Sequence, residues 1–584
     1  MQALLSIYKR AYNKKYFKYA LIAIICIIID IMAALVIPFM AKTIIDDAIP
    51  NGNIDQVIRI GAIVVSIALI SVFSTIFNNI CSQYIATGIA SDIRLEVFEK
   101  IQDLSLSNVD QITTGKLMTI VTNDTNQIQQ IIVLSFRAIL RAPITLVGAM
   151  AMAYITNPDL FFVVIFGVVF VSVALFFIFK KASPLFTELQ GRIDNLNSKL
   201  SETIGGAREV KAFVSELEEE IKFKEVNDEY YNANVRANKI IVMVSPLVIL
   251  VSNVLIGLIL YVSSHLILGG QSELTGTVMT YISYVQQIIN SLMMISAISI
   301  IISRSIVSSS RYRMLMDVEI DVKDLTDELR EIEGNITFED VDFGYIDEVD
   351  NSLGITLKNI NLHINKGEFI GIIGSTGSGK SSLVSLIPRL YDVNEGKLLI
   401  DGIDVKEHNL KCLRNQISLV TQEAIIFTGS ILDNIKQGKL DATNEEIKNA
   451  AKIASIDDFI EGLPDKYNTH ITQGGTSLSG GQKQRISIAR GLIRNPKILI
   501  LDDSTSAVDA KTEQRIKENL RNVQHCTIII VAQKISSIKD CDKIIVLGND
   551  GRVDGYNSHD NLLKTSKVYQ EIFASQTGGE VDAC

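Results

Sequence analysis

The chain has 584 residues, 48% hydrophobic and 21% charged, with a mean hydropathy of +0.28. That is too apolar for an ordinary soluble protein and too charged for membrane spans alone, so the chain is expected to divide into a membrane part and a soluble part. The net charge of −10 leaves no basic footprint for nucleic acid, and six scattered cysteines without a CxxC pair suggest neither a disulfide framework nor a zinc site.

In chain order, hydrophobic runs long enough to cross a bilayer lie near 17–41, 57–80, 132–156, 159–180, 239–268 and 274–303, which predicts six spans. The first is longer than the apolar region of a cleavable signal and is followed by further spans, so it is expected to be retained. Lys9, Arg10, Lys14, Lys15 and Lys18 precede it, whereas "IDDAIPNGNID" after it has no basic residue, which places the first terminus inside. The "NPD" and "LGGQSELTG" connections also lack basic residues, and the segments around 94–116, 180–211 and 304–313 carry them. Both termini are therefore expected in the cytoplasm.

The inside connections 81–131 and 181–238 are too long for loops and read as amphipathic helices. Arms of roughly 25 residues would project nearly 40 Å into the cytosol, at about 1.5 Å per residue. Their turning points are expected near 113–125 and 201–213, where Gly115, Gly205 and Gly206 punctuate the pattern. Inside the spans, Asp30, Asn78, Asn79, Arg137, Arg141, Gln286, Gln287 and Asn290 are the polar residues whose position needs a reason. Tyr284, Gln287, Ser291 and Met294 share one helical face, which would suit either a pathway for amphipathic molecules or packing between helices.

Beyond the charged linker "MDVEIDVKDLTDELREIEG", a strand-rich domain begins near residue 334. Its segment "EFIGIIGSTGSGKSSLVSLI" reads as an apolar strand, then Gly374-x4-Gly379-Lys380-Ser381, then a helix, which is a phosphate-binding loop in its proper context. The glycines let successive backbone N–H groups face phosphate, the helix start adds its dipole, Lys380 supplies positive charge and Ser381 can ligate magnesium. A second apolar strand, "KILIL", ends in Asp502 and Asp503. The first carboxylate is placed to hold magnesium and the second to polarise an attacking water.

Between these two segments stands "LSGGQKQR", and there the chain resembles the ATP-binding cassette (ABC) transporters, specifically their exporter-type half-transporters. The resemblance covers nearly the entire length. It implies Tyr345 of "VDFGY" as the aromatic that stacks on adenine, and Gly374, Ser375, Thr376, Gly377, Ser378, Gly379, Lys380, Ser381 and Ser382 as Walker A. Gln422 of "SLVTQE" would be the Q-loop glutamine, and with Ser381 and Asp502 it would hold Mg2+. "SAVD" would be the D-loop. The resemblance further implies a head-to-tail dimer in which Ser479, Gly480, Gly481 and Gln482 contact an ATP held mainly by the other subunit. The implied fold is an all-α six-helix transmembrane domain (residues 1–315), a linker (316–333) and an α/β P-loop nucleotide-binding domain (334–584). Segments 113–125 and 201–213 resemble the regions around the family's two coupling helices.

Three positions depart from the family pattern. Asp503 stands where active exporters usually carry glutamate, so its carboxylate would sit roughly 1.5 Å back, and a displacement of about 1 Å can lower a rate about 100-fold. Gln533 in "IIIVAQKISS" replaces the switch histidine, and an amide lacks imidazole's protonation chemistry near neutral pH. Gln473 stands where a glutamate is more common. The resemblance together with these departures implies one subunit of a heterodimeric exporter of drugs, lipids or peptides, whose own site binds ATP but hydrolyses it slowly and whose signature completes the partner's site. An importer of exporter fold, a homodimer, and an ATP-sensing regulatory membrane subunit are the alternatives. The expected location is a bacterial plasma membrane.

Overall fold

A computed structural model describes residues 2–11, 13–268, 275–346, 353–475, 477–523 and 525–577. The chain forms two compact units: residues 1–101 with 117–317, and residues 102–116 with 318–584.

Among the described residues, six helices are long and apolar enough to cross a membrane: Phe17–Ala48, Ile54–Asp103, Thr114–Thr156, Pro158–Gly205, Glu216–His265 and Thr275–Met316. All six coincide with the expected spans and continue past the apolar runs. At about 1.5 Å per residue, a 50-residue helix such as Ile54–Asp103 is about 75 Å long, more than twice the hydrocarbon thickness. Asn157 starts the fourth helix, its side chain accepting from the N–H groups of Asp159 and Leu160, with Pro158 where the missing N–H does no harm. The expected connection "LGGQSELTG" falls largely on residues 269–274, which lie outside the described residues.

The polar residues within the spans mostly bind one another or a neighbouring backbone. Asp30 pairs with Arg141 at 2.9 Å, and its other oxygen accepts from Ser71 at 2.7 Å and Thr75 at 3.1 Å. Asn78 donates to the carbonyls of Ala23 and Phe136, and Arg137 to that of Asn79. Tyr284 and Ser291 are buried, with Tyr284 donating to Leu35 O, and Gln287 donates to Ala34 O. Tyr284 and Gln287 therefore pack on the helix Phe17–Ala48, while the Ser291 hydroxyl donates to Gln287 O on its own helix. Gln286 and Asn290 are exposed.

The first turning point lies earlier than expected. A short helix, Leu106–Ile112, occupies it, while most of 113–125 already belongs to the next long helix. The cause is local: Ser105 and Asn108 form a reciprocal capping box that starts the short helix, and Thr113, at φ +64°, ends it. Gly115 does not punctuate. At the second turning point, Gly206 leads into the helix Ala207–Ala212, inside the expected window.

In the second unit the described strands are β1 Ile336–Ile346, β2 Leu353–Ile364, β3 Phe369–Gly374, β4 Glu395–Ile400, β5 Ile403–Asp404, β6 Ile417–Val420, β7 Gly429–Ser430, β8 His470–Ile471, β9 Ile498–Asp502, β10 Thr527–Val531, β11 Lys543–Leu547 and β12 Val553–Asn557. The sheet that positions the site has the order β12-β11-β3-β10-β9-β6. Its strands are parallel except β12, and β3, β9 and β10 are buried at every residue, which explains why they read as unbroken apolar runs. A four-stranded antiparallel sheet, β2-β1-β4-β5, shares a core with one face of this sheet through Ile336, Phe338, Leu357, Ile372, Ile500 and Ile529. Six apolar helices followed by this α/β domain are the fold class expected from the sequence.

Candidate functional site: a phosphate-binding loop at the ends of three parallel strands

Parallel α/β sheets place ligands at the carboxyl ends of their strands. Here three adjacent strands deliver the site. β3 runs into Gly374–Lys380, β9 ends in Asp502 and Asp503, and β10, lying between them, leads to Gln533. The register aligns Val531 with both Ile372 and Asp502, so the three loops leave the sheet at one level.

A cavity of ≈ 360 Å³ lies there, lined by Thr356, Thr376, Gly377, Gly379, Lys380, Ser381, Ser382, Gln422, Asp502, Asp503, Val531 and Gln533. Residues separated by up to 177 positions, Thr356 to Gln533, thus meet in one place. Gly379 is required at its position: φ is +91°, and a Cβ would stand 2.7 Å from Leu357 Cδ2. Lys380 Nζ donates to the carbonyls of Gly374 at 2.9 Å and Ser375 at 2.7 Å. Ser375 hydrogen-bonds Asn549, and the Ser378 hydroxyl is buried with no partner among the described residues. Ser381 donates to Asp502, whose side chain is buried.

Asp503 has a left-handed backbone, φ +47°, and its N–H donates to Val531 O at 3.0 Å. Its Oδ2 accepts from both Gln533 Nε2 at 2.8 Å and Gln422 Nε2 at 3.3 Å. The two substituted positions, Asp503 and Gln533, are therefore in direct contact. Gln576, from the helix Lys567–Thr577, braces the second of them by donating to Gln533 O at 2.8 Å and accepting from Ile535 N at 2.8 Å.

Burial raises the pKa of Asp502, against the Ser381 hydrogen bond and the Lys380 charge. Burial also raises that of Asp503, helped by the Asp502 charge and opposed by Gln533 and Lys380. It lowers that of Lys380, which the two carboxylates partly offset. The site is thus a desolvated cluster of one cation and two strained anions, an arrangement that polyphosphate and a divalent cation would relieve.

Tyr345 stands at the margin. Its hydroxyl donates to Ser382 at 3.0 Å, and its ring meets Phe343 and Tyr391 edge-on. Ser479, Gly480, Gly481 and Gln482 do not line the cavity. Ser479 and Gln482 form a capping box at the start of the helix Gly480–Leu492, and a Cβ on Gly481 would stand 2.7 Å from Ala507 O. The side chain of Gln473 lies outside the described residues. Sequence reasoning missed Thr356, Val531, Asn549 and Gln576; none carries a local signal, because each reaches the loops only through the sheet or a distant helix.

Residues 20–292 match the model of the ABC transporter transmembrane region, and residues 357–506 match that of the ABC transporter family. The chain is 34% identical to the uncharacterized ABC transporter ATP-binding protein YfiB of Bacillus subtilis, over 98% of each chain. This chain belongs to the ABC transporters. It is also 31% identical to an ATP-dependent lipid A-core flippase of Syntrophus aciditrophicus, over 95% of this chain and 92% of that one. The solved structure of a bacterial Atm1-family ABC exporter with ATP bound superposes with a TM-score of 0.80 at 26% identity, covering 98% of this chain and 100% of that one. The chain is an ABC exporter half-transporter, a multi-pass membrane protein whose ATP-binding domain drives ATPase-coupled transport. Such exporters act as dimers with a second ABC subunit.

Proposed function

We propose that this chain is the hydrolysis-impaired half of a heterodimeric exporter. The observation that carries this reading is the contact between the two substituted positions: a shortened carboxylate, Asp503, held through one oxygen by the amides of Gln533 and Gln422. No histidine is among the described residues lining the cavity. Positioning water needs a carboxylate that reaches forward and a partner that can trade protons, and both are reduced here. The binding groups remain. Backbone donors and Lys380 would hold the phosphates, Tyr345 would stack on adenine, and Ser381, Asp502 and Gln422 would hold Mg2+, which when bound neutralises phosphate charge. The unpartnered Ser378 hydroxyl and the desolvated cluster support that fit. Ser479 to Gln482 would complete the site on the second subunit through backbone N–H groups at a helix start.

Residues 1–315 would form the transmembrane domain, 316–333 the linker and 334–584 the nucleotide-binding domain. Both termini would lie in the cytoplasm and the spans in the bacterial plasma membrane. The substrate would be an amphipathic drug, lipid or peptide; the likeness to a lipid flippase supports the lipid.

The test is ATP turnover by the purified chain alone and with a candidate second subunit. The expected result is near-inactivity alone and activity of the pair, abolished when the second subunit's catalytic carboxylate becomes an amide. Vigorous turnover by this chain alone would sink the proposal.

The raised Asp502 pKa gives a second expectation. Asp502 takes up a proton at a higher pH than an ordinary aspartate, and the protonated form does not hold Mg2+. The ratio of ATP affinity with Mg2+ to that with a chelator should therefore fall as pH drops, beginning at a higher pH than an ordinary aspartate, near 3.9, would impose. For the apo domain the sign is opposite. A carboxylate with a raised folded-state pKa favours folding below its unfolded value and loses that contribution as pH rises. A pH dependence of this ratio that is unchanged in Asp502→Asn would remove Asp502 as the metal-binding group.

A further inference from the structure

The sheet holds the segment after β10 as far as Ala532, whose N–H donates to Ile372 O at 3.0 Å. A short helix, Ile535–Ser537, follows with bonds of its own, from Ser537 N to Lys534 O and from Ile538 N to Ile535 O. Gln533 and Lys534 bridge the two, outside both strand and helix, and both are exposed. This bridge is where Gln576 binds. Its Nε2 donates to Gln533 O and its Oε1 accepts from Ile535 N, each at 2.8 Å. One side-chain amide thus closes on the main chain on both sides of Lys534, supplying an acceptor and a donor where the sheet has ended.

The helix that carries Gln576, Lys567–Thr577, is anchored by other residues. Tyr569 is fully buried, its hydroxyl is hydrogen-bonded to His559 Nδ1 at 2.6 Å, and Ile572 and Phe573 pack on the core that contains Ile535 and Ile538. Gln576 itself is exposed, so its two bonds act on the bridge and not on the attachment of its own helix. The bridge in turn carries Gln533, whose long side chain reaches Asp503 Oδ2 with Nε2 at 2.8 Å. Where that side chain stands depends on where its main chain is held, and a displacement of about 1 Å at such a group can change a rate about 100-fold.

We infer that Gln576 is a positioning residue for ATP hydrolysis: through two main-chain bonds it fixes where the side chain at position 533 stands against Asp503. The inference rests on the reading of Asp503 and Gln533 as the groups that position the attacking water.

Gln533→His in the full-length chain supplies a reporter of that placement, an imidazole titrated by NMR without nucleotide or Mg2+. Adding Asp503→Asn should lower the pKa of that imidazole by about 1, because it removes the carboxylate beside it. Lys380 and Asp502, the other charges lining the cavity, are common to both forms. With Gln576→Ala also present, Asp503→Asn should have less than half this effect. Ile572→Ala, which weakens the packing of the same helix and leaves Gln576 in place, should keep the effect whole. Turnover gives a second reading. In Asp503→Glu with Gln533→His, Gln576→Ala should lower kcat about 10-fold and leave KM for ATP unchanged, since no phosphate or adenine contact is touched. In Asp503→Glu with Gln533→Ala, where no side chain is left to place, Gln576→Ala should change nothing further. An undiminished Asp503→Asn effect in Gln576→Ala, or an equal loss in Ile572→Ala, would overturn the inference. No Asp503→Asn effect with Gln576 intact would overturn the pairing of positions 503 and 533, and the inference with it. Vigorous turnover by the unaltered chain would sink the slow-site reading alone, because the titration does not depend on it.

Discussion

Asp503→Glu combined with Gln533→His is expected to raise ATP turnover by this chain's own site about 100-fold. One methylene moves the carboxylate forward by roughly 1.5 Å, and misplacement by about 1 Å accounts for a factor of this order. The direct bond between Gln533 and Asp503 predicts that the two changes act together. Glutamate alone would still be held by two amides, and histidine alone would face a carboxylate too short to share a water. The double variant should therefore exceed the product of the single variants, the non-additivity expected of groups in contact. Turnover of the purified chain checks this. Equal rates for all four forms would show that the limit lies elsewhere, in dimer formation or nucleotide release.

The second large effect is expected in the membrane unit. Arg141→Leu leaves Asp30 without its cation, although Ser71 and Thr75 still donate to it. Removing one partner of a buried pair costs about 3–5 kcal/mol in soluble proteins. The lower end applies here because 41% of the Arg141 side chain is exposed, against 11% for Asp30. The thermal midpoint of the detergent-solubilised protein should fall by several degrees. Adding Asp30→Asn should restore most of it, since the uncompensated charge is then gone. A double variant no more stable than Arg141→Leu would mean that the arginine matters for packing, not for charge.

How much of this was readable in advance depends on sequence distance. The six spans and the phosphate-binding loop are local patterns, one of hydropathy and one of glycine spacing, and both stand where the sequence put them. The first turning point lies about ten residues before the one Gly115 suggests, because the Ser105–Asn108 capping box starts the short helix and Gly115 sits inside the next one. The departures at Asp503 and Gln533 were legible one by one. Their contact was not, since 30 positions separate them and only the pairing of β9 with β10 brings them together. The bond between Gln576 and Gln533 spans 43 positions and leaves no trace in composition or period. Tyr284 shows the opposite limit: a helical face read correctly as one face still does not say whether it meets substrate or another helix.

The three loops of the site leave adjacent parallel strands at one level, so their spacing is fixed by the sheet, about 4.8 Å per strand. Side chains alone then decide whether the site turns over. On the proposed reading, two side-chain changes on a shared backbone frame are enough to separate a fast site from a slow one. The same economy runs in reverse, so on that reading a slow site keeps the frame from which a fast one can be recovered.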